Sequence, residues 1–328
     1  MVLSVTVTPA PALAASSGFI GRALSFEFLV QTTVLGAPGQ IGPSQPTRLA
    51  QPQTIKIPPG LMAQARITFA GLPSAAALQA TIWGLTPAIM NQLNTLSSIF
   101  QMQPANLVTV YASNADGTNR SIAFKGGILN CTPDFNRQPE APINIQAYAG
   151  LDIATLPSKP KSYTGSADIV TMIKAIAAEV NYNTEFNGIS GISLSRSYLD
   201  GSPRDQVTNI ARAVKDRGLM VDFVENNTIA VWFINQGRAK PVPIISPDTG
   251  LIGYPTYTGF GIDVRTIYNP NIIQGGQIQV NSSLPGGSGL FTVYGVSHDL
   301  DAQIPGGKWE TMVHAYRLGY PTPPITPP

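Results

Sequence analysis

The sequence predicts an α+β protein, mainly β, in which two strand-rich regions flank a small α/β region. Three observations carry this. Short alternating apolar runs recur through residues 1–155 and again through 237–320. The only paired helical stripes fall between them, within 156–236. The 328 residues also include 31 Gly and 29 Pro, which punctuate the chain into short elements.

In the first region, strands are expected at Ser4 to Thr8, Ala23 to Thr32, Thr54 to Ile57, Gln64 to Phe69 and Leu78 to Trp83. Between the second and third of these, Gly36-Ala37-Pro38-Gly39-Gln40-Ile41-Gly42-Pro43 reads as a loop, within positions 33 to 53, which carry a Gly and Pro excess. Thr86-Pro87 supplies a helix cap followed by Pro at the first helical position, where its missing N–H costs nothing. Ile89, Met90, Leu93 and Leu96 then form one apolar stripe. Further strands follow at Leu107 to Ala112, Ser121 to Phe124, Gly127 to Cys131 and Ile143 to Ala147, the first two joined through Asp116-Gly117.

Pro157, Lys159, Pro160 and Lys161 mark a linker into the α/β region. Ser166 is positioned to cap a helix with Ile169, Ile173, Ile176, Ala177 and Val180 on one face, followed by an extended Tyr182 to Phe186. A second helix is better signalled, by Ser202-Pro203-Arg204-Asp205 at its start, Val207, Ile210, Ala211 and Val214 along it, and Gly218 at its end. Leu219 to Val224 and Thr228 to Phe233 make a hairpin about Asn226-Asn227, residues that tolerate positive φ. Beyond Lys240, strands are expected at Val242 to Ile245, Gly261 to Tyr268, Gln277 to Asn281, Leu290 to Asp299 and Trp309 to Leu318. The last eight residues, 321–328, hold five prolines and read as an extended tail.

Charged residues make up 12% of the chain, about half the roughly 25% of an ordinary soluble domain. A surface covered by partner subunits explains this, since interface centres are depleted in charge; a turn-rich β protein coated in Ser, Thr, Asn and Gln explains it equally. Net charge is +2, from 20 Lys and Arg against 18 Asp and Glu, so no basic field for sequence-specific nucleic-acid binding is present. The single Cys131 has apolar neighbours and reads as a small buried residue. Met1 to Ser17 is apolar but has no basic start and is interrupted by Pro9 and Pro11, so a signal peptide is not expected. No stretch approaches the ~20 apolar residues of a membrane span, which leads us to expect a soluble protein.

The C-terminal region carries an ordered set of short motifs. Pro241-Val242-Pro243-Ile244-Ile245-Ser246 leads into Thr249-Gly250-Leu251-Ile252-Gly253-Tyr254-Pro255, then Asn269-Pro270, Gly275-Gly276, His298-Asp299-Leu300-Asp301 and Gly306-Gly307-Lys308-Trp309-Glu310-Thr311. This order resembles the C-terminal half of baseplate hub proteins of contractile-tailed bacteriophages. Ile82-Trp83-Gly84-Leu85-Thr86-Pro87 is similar to the strand-to-helix junction in the tube-like barrel of the same family. The resemblance is strongest over 240 to 316 and weak before residue 60.

It implies two tail-tube-like β-barrel domains, at 1–155 and 237–320, with the small α/β domain 156–236 between them and 321–328 as tail. It further implies a structural, non-enzymatic homotrimer that joins a tail tube or distal tube protein to a trimeric spike protein and touches other baseplate proteins. Such a subunit resides in the virion tail baseplate and is assembled in the cytoplasm of the host bacterium. An alternative is a carbohydrate-binding or cell-wall-degrading tail protein; a spike with a puncturing domain would need a repetitive β-prism sequence that is not seen.

Side chains capable of chemistry are sparse. His298, Asp299, Asp301, Glu310 and His314 form the one concentration of potential ligands or acid/base groups. A hairpin turning at Ala302 to Gly307 would place His298 opposite Glu310 as a surface pair and leave His314 too far along for a shared ion. Asp200, Asp205, Asp216, Asp222 and Glu225 are candidate carboxylates by composition alone; Asp205 reads better as a cap partner and Asp222 as the polar side of an alternating strand. Gly306-Gly307-Lys308 lacks the residues of a phosphate loop and Gly286-Gly287-Ser288-Gly289-Leu290 those of a nucleophile elbow. Trp83, Trp232 and Trp309 sit among apolar neighbours and read as core. No catalytic, cofactor-binding or metal residue is therefore assigned, and no cofactor is expected.

Overall fold

A computed structural model describes residues 21–30, 53–71, 75–94, 106–137, 139–154, 156–284 and 286–317. The strand expected at Ser4 to Thr8, most of the segment 33 to 53 and the tail 321–328 lie outside these residues.

The first region contains β1 (Arg22–Val30), β2 (Gln53–Ile57), β3 (Ala63–Phe69), β4 (Ala77–Ile82), helix α1 (Pro87–Leu93), β5 (Leu107–Asn114), β6 (Ser121–Pro133), β7 (Ile143–Tyr148) and helix α2 (Leu151–Ala154). Alternation drives the strands: in β3, Ala63, Ala65, Ile67 and Phe69 are buried while the residues between them are not. Thr86 caps α1 by accepting from the Ile89 N–H, with Pro87 at the first position. The two strands expected at Ser121 to Phe124 and Gly127 to Cys131 are one continuous β6, whose pairing with β7 shifts between Ile128 and Asn130. Gly126 and Gly127 make that possible: a Cβ on Gly126 would lie 2.6 Å from the Tyr148 carbonyl oxygen and one on Gly127 2.6 Å from the Asp152 nitrogen. The turn-like pair is thus a close crossing inside a strand.

The α/β region contains β8 (Lys161–Ser162), β9 (Ser166–Asp168), α3 (Ile169–Val180), β10 (Asn183–Asn187), β11 (Ser193–Ser195), β12 (Tyr198–Leu199), α4 (Pro203–Val214), β13 (Leu219–Val224) and β14 (Thr228–Phe233). Ser166 does not cap α3. It pairs with Ser195 in the β9–β11 ladder, and Asp168 takes the cap position. In α4 the expected cap forms as a reciprocal box between Ser202 and Asp205. The β13–β14 hairpin turns through Asn226 and Asn227 at φ 57° and 51°, and β10 adds parallel to β14.

The last region contains β15 (Ile244–Ile245), β16 (Thr256–Tyr257), β17 (Gly261–Ile267), β18 (Gln277–Val280), β19 (Gly289–Ala302) and β20 (Trp309–Tyr316). These strands and those of the first region form one 13-stranded sheet, ordered β16-β17-β20-β19-β3-β4-β7-β6-β5-β1-β2, with β15 and β18 branching from β19. The long β19 is the shared strand. Its start pairs with β18, its end pairs antiparallel with β3, and β20 runs along its other edge. The sheet curls: β1, far along the order, returns into contact with β19, and Arg22 of β1 lies over the Trp309 ring at 5.8 Å. No pairing among the described residues completes a ring of strands. Phe26, Phe28, Ile67, Leu78, Ile82, Ile143 and Ile145 fill the fully buried interior.

Candidate functional site

The sequence's cluster of potential ligands is dispersed by the sheet. Register places His298 opposite Thr311 and Asp299 opposite Glu310, one residue from the expected pairing. A slip of one exchanges the two faces of a strand, so the expected His298–Glu310 surface pair does not form. His298 is buried against Tyr268 and Phe69, with ring centroids at 5.0 and 6.0 Å, and its Nδ1 lies 2.9 Å from Thr311 Oγ1. Burial pushes its pKa down to about 3, so the ring is a neutral part of the core.

The others form separate pairs. Arg66 donates to Asp301 at 2.7 Å and lies 3.2 Å from Asp299; Arg265 meets Glu310 at 2.9 Å; His314 Nδ1 lies 2.7 Å from Asp263. Among the described residues no group of three or more His, Cys, Asp or Glu is arranged to hold a metal. Burial pushes the Cys131 thiol up to about 12, which leaves it unreactive near neutral pH.

The candidate carboxylates are likewise divided among elements. Asp205 serves the α4 cap, while Asp200 and Asp216 are exposed. Asp222 is not on a polar face: it is 1% exposed, and its Oδ1 accepts from the Phe223 N–H at 2.7 Å. With the Gln274 amide oriented to satisfy its neighbours, Gln274 donates to Asp222 Oδ2 at 3.2 Å and accepts from the Gly71 N–H at 2.8 Å. Tertiary docking of the α/β region against both flanking regions therefore overrides the strand's alternation.

That docking centres on Arg238, which sequence reasoning missed. Its side chain is buried and donates twice to Glu185 at 2.9 Å, to Glu225 at 3.1 Å and to the Gln274 carbonyl at 3.1 Å. Lys240 adds a contact to Glu185 at 3.0 Å. Burial raises the Glu185 pKa, but hydrogen bonds and charge from Arg238, with help from Asn187 and Lys240, outweigh it and hold the carboxyl at about 2. Nearby, Gly275 at φ 75° passes over Trp232, where a Cβ would lie 2.7 Å from the ring, and the Tyr316 hydroxyl donates to the Ile234 carbonyl. On the other side, Tyr182 donates to Asp152 at 2.7 Å. Trp232 and Trp309 are core residues as expected, and Trp83 is half-buried.

Two surfaces remain that could receive a partner. Among the described residues, six of the nine exposed large apolar side chains lie between residues 244 and 290: Ile244, Tyr254, Tyr257, Phe260, Ile267 and Leu290. In this stretch, from Thr249 to Ser297, the only charged residues are Asp263 and Arg265. The second surface is a cavity of about 450 Å³ beside α1, lined by Leu61, Met62, Trp83, Met90, Phe135 and Glu140 among others. Concave apolar lining and an uncharged aromatic surface are features of protein contact.

Comparison with known proteins gives the family. The chain matches the model described as baseplate hub gp41 over residues 49–303. No curated protein matches it. The fold is similar to that of a 43 kDa tail protein of prophage MuSo2 from Shewanella oneidensis, with TM-score 0.54, 9% identity, and coverage of 81% of this chain and 94% of that one. It is also similar to a tail protein from Neisseria meningitidis MC58, at TM-score 0.54 and 10% identity over 91% and 97% of the two chains. A third similar structure is the E. coli c3393 protein, described as a component of the type VI secretion system with structural similarity to T4 tail proteins gp27 and gp5; its TM-score is 0.54, with 12% identity over 81% and 76%. With its match extending through all three regions of the chain, this protein belongs to the baseplate hub gp41 family.

Proposed function

We propose that the chain is the structural hub subunit of a contractile phage tail, forming a homotrimeric ring between the tail tube and the central spike. The observation that carries this reading is the family match across residues 49–303, which takes in both strand-rich regions and the α/β region. Each strand-rich region then acts as one tube-like barrel, so that three subunits present six similar units to a six-fold tube while keeping three-fold symmetry toward the spike. The curl that returns β1 to β19 supports a barrel built on the first region's strands with β19 of the last region as its closing neighbour. In the second, a Cβ on Gly286 would meet the Tyr257 hydroxyl at 3.2 Å, so the loop after β18 reaches the β16 end of the sheet.

Function in such a part is geometric, and the dispersal of its titratable side chains into pairs and caps is consistent with a non-enzymatic role. Subunit contacts should bury more than about 2,000 Å² per pair, the range of permanent assemblies. Assembly in the host cytoplasm and residence in the virion baseplate follow from the same reading. The test is to label the chain at its C-terminus and image assembled tails: density at the tube–spike junction is expected, and density on the tube shaft, fibres or spike tip would reject the role.

A further inference from the structure

The chain leaves the sheet between two features of the last region. β20 ends at Tyr316, which pairs with Gly261 of β17 on one side and Thr292 of β19 on the other. Arg317 follows, and its guanidinium turns toward β19, 5.8 Å from the Phe291 ring and beside Gly289. On the β17 side stands the β16–β17 turn, closed by the Thr258 N–H donating to the Gly261 carbonyl at 2.9 Å and the Gly261 N–H donating to Thr258 Oγ1 at 3.1 Å. It displays Tyr257 and Phe260, which are 52% and 39% exposed.

The loop before β19 crosses this same end of the sheet. A Cβ on Gly286 would meet the Tyr257 hydroxyl at 3.2 Å and one on Gly287 would meet Pro255 at 3.5 Å, although β17 and β20 lie between β16 and β19 in the strand order. Ser288 fixes the loop by donating to the Ser282 carbonyl at 2.7 Å and accepting from the Ser282 N–H at 2.8 Å. Phe260, Tyr257 and Pro255 thus form an apolar shelf, walled by a loop, at the point where residues 318–328 begin.

The sequence of those residues suits an aromatic surface. Pro321, Pro324 and Pro327 recur at intervals of three, and a polyproline II helix has three residues per turn, so they fall on one edge. Proline-rich segments of this kind dock on aromatic-lined surfaces, because the helix is pre-formed and loses little freedom on binding. Pairing onto the sheet is closed to them, since proline has no N–H to donate. Their reach is sufficient: Pro321 to Pro327 spans roughly 19 Å as polyproline II, against roughly 10 Å across the strand spacings from β20 to β16.

We propose that Pro321–Pro327 packs as a polyproline II helix across Phe260 and Tyr257 of its own chain, with Leu318, Gly319 and Tyr320 as the link from Arg317. The contact covers aromatic surface that the sheet leaves exposed and withdraws it from other proteins. It is independent of the hub reading.

Hydrogen–deuterium exchange of the full chain and of a chain ending at Arg317 tests the contact. The Thr258 and Gly261 amides are expected to exchange about threefold faster in the shortened chain, where the turn opens without the segment that holds it. A synthetic peptide of residues 318–328, added at about 1 mM, the effective concentration that a short tether supplies, is expected to restore slow exchange. The same peptide with Pro324→Ala and Pro327→Ala is expected to fail, as is the native peptide against a shortened chain carrying Phe260→Asp. Protection in the full chain should persist over about a hundredfold dilution, as an intramolecular contact requires. Unchanged exchange on shortening would overturn the contact and leave the prolines to a partner outside the chain. Protection that fades on dilution would overturn it in favour of a second copy, and so would a peptide that protects equally without its two prolines or despite Phe260→Asp count against the shelf as its site.

Discussion

The Arg238 junction and the Tyr254–Phe260 hairpin lie in neighbouring parts of the chain but use opposite physics. At the junction, charge is buried and fully paired: one guanidinium engages two carboxylates and a carbonyl from segments as distant as Glu185 and Gln274. At the hairpin, charge is missing and aromatic surface is exposed. A buried ion network tolerates little displacement, because each unpaired member is costly; an uncharged apolar projection costs little until a partner covers it. Substitutions at the first should therefore destabilise the fold and leave surface docking alone, and those at the second should do the reverse.

The largest effect is expected from Arg238→Ala, which leaves Glu225 without Arg238 and Glu185 with only Lys240 and Asn187 and should lower unfolding free energy by about 3 kcal/mol in urea titration. Gly275→Ala comes next. It forces a Cβ against Trp232 at positive φ, and a loss of about 1–3 kcal/mol is expected by thermal unfolding.

Acid sharpens the comparison from a third direction. His298 has its folded pKa depressed from 6.5 to about 3 by burial. Its stabilising contribution is thus complete above 6.5 and is lost as pH falls toward 3, with a slope approaching about 1.4 kcal/mol per pH unit. His298→Asn should remove that slope between pH 6.5 and 4.5. Glu185, depressed from 4.5 to about 2, contributes stability above 4.5 that is lost below it, so its share of the remaining acid sensitivity should begin there and Glu185→Gln should reduce that sensitivity. Ser202→Ala, which opens the α4 capping box, should cost about 1 kcal/mol. Smallest is Phe260→Asp, expected to change stability by less than about 1 kcal/mol while releasing the proline-rich segment.

The parts of the fold that depend on local chemistry were legible in the sequence. Thr86-Pro87 and Ser202-Pro203-Arg204-Asp205 set their helix starts through side chains a few residues apart, and Asn226-Asn227 set a hairpin through its own backbone preference. Long-range geometry was not. Ser166 has the chemistry of a cap, but pairing with Ser195 claimed its backbone. The one-residue register difference between β19 and β20 sent His298 inward, and no local pattern specifies a register. Arg238, in Gly237-Arg238-Ala239-Lys240, looks like any solvated basic residue, and its carboxylate partners lie 53 and 13 positions away. The family motifs, by contrast, were visible because they mark turns, where Gly and Pro act locally.

The central claim is that this chain forms the ring on which a tail tube and a spike meet. Counting its copies per baseplate in purified, assembled tails tests that most directly, by quantitative mass spectrometry against a tube subunit of known number. Three copies are expected, and any other number would contradict the trimeric hub, whatever the fold of its barrels.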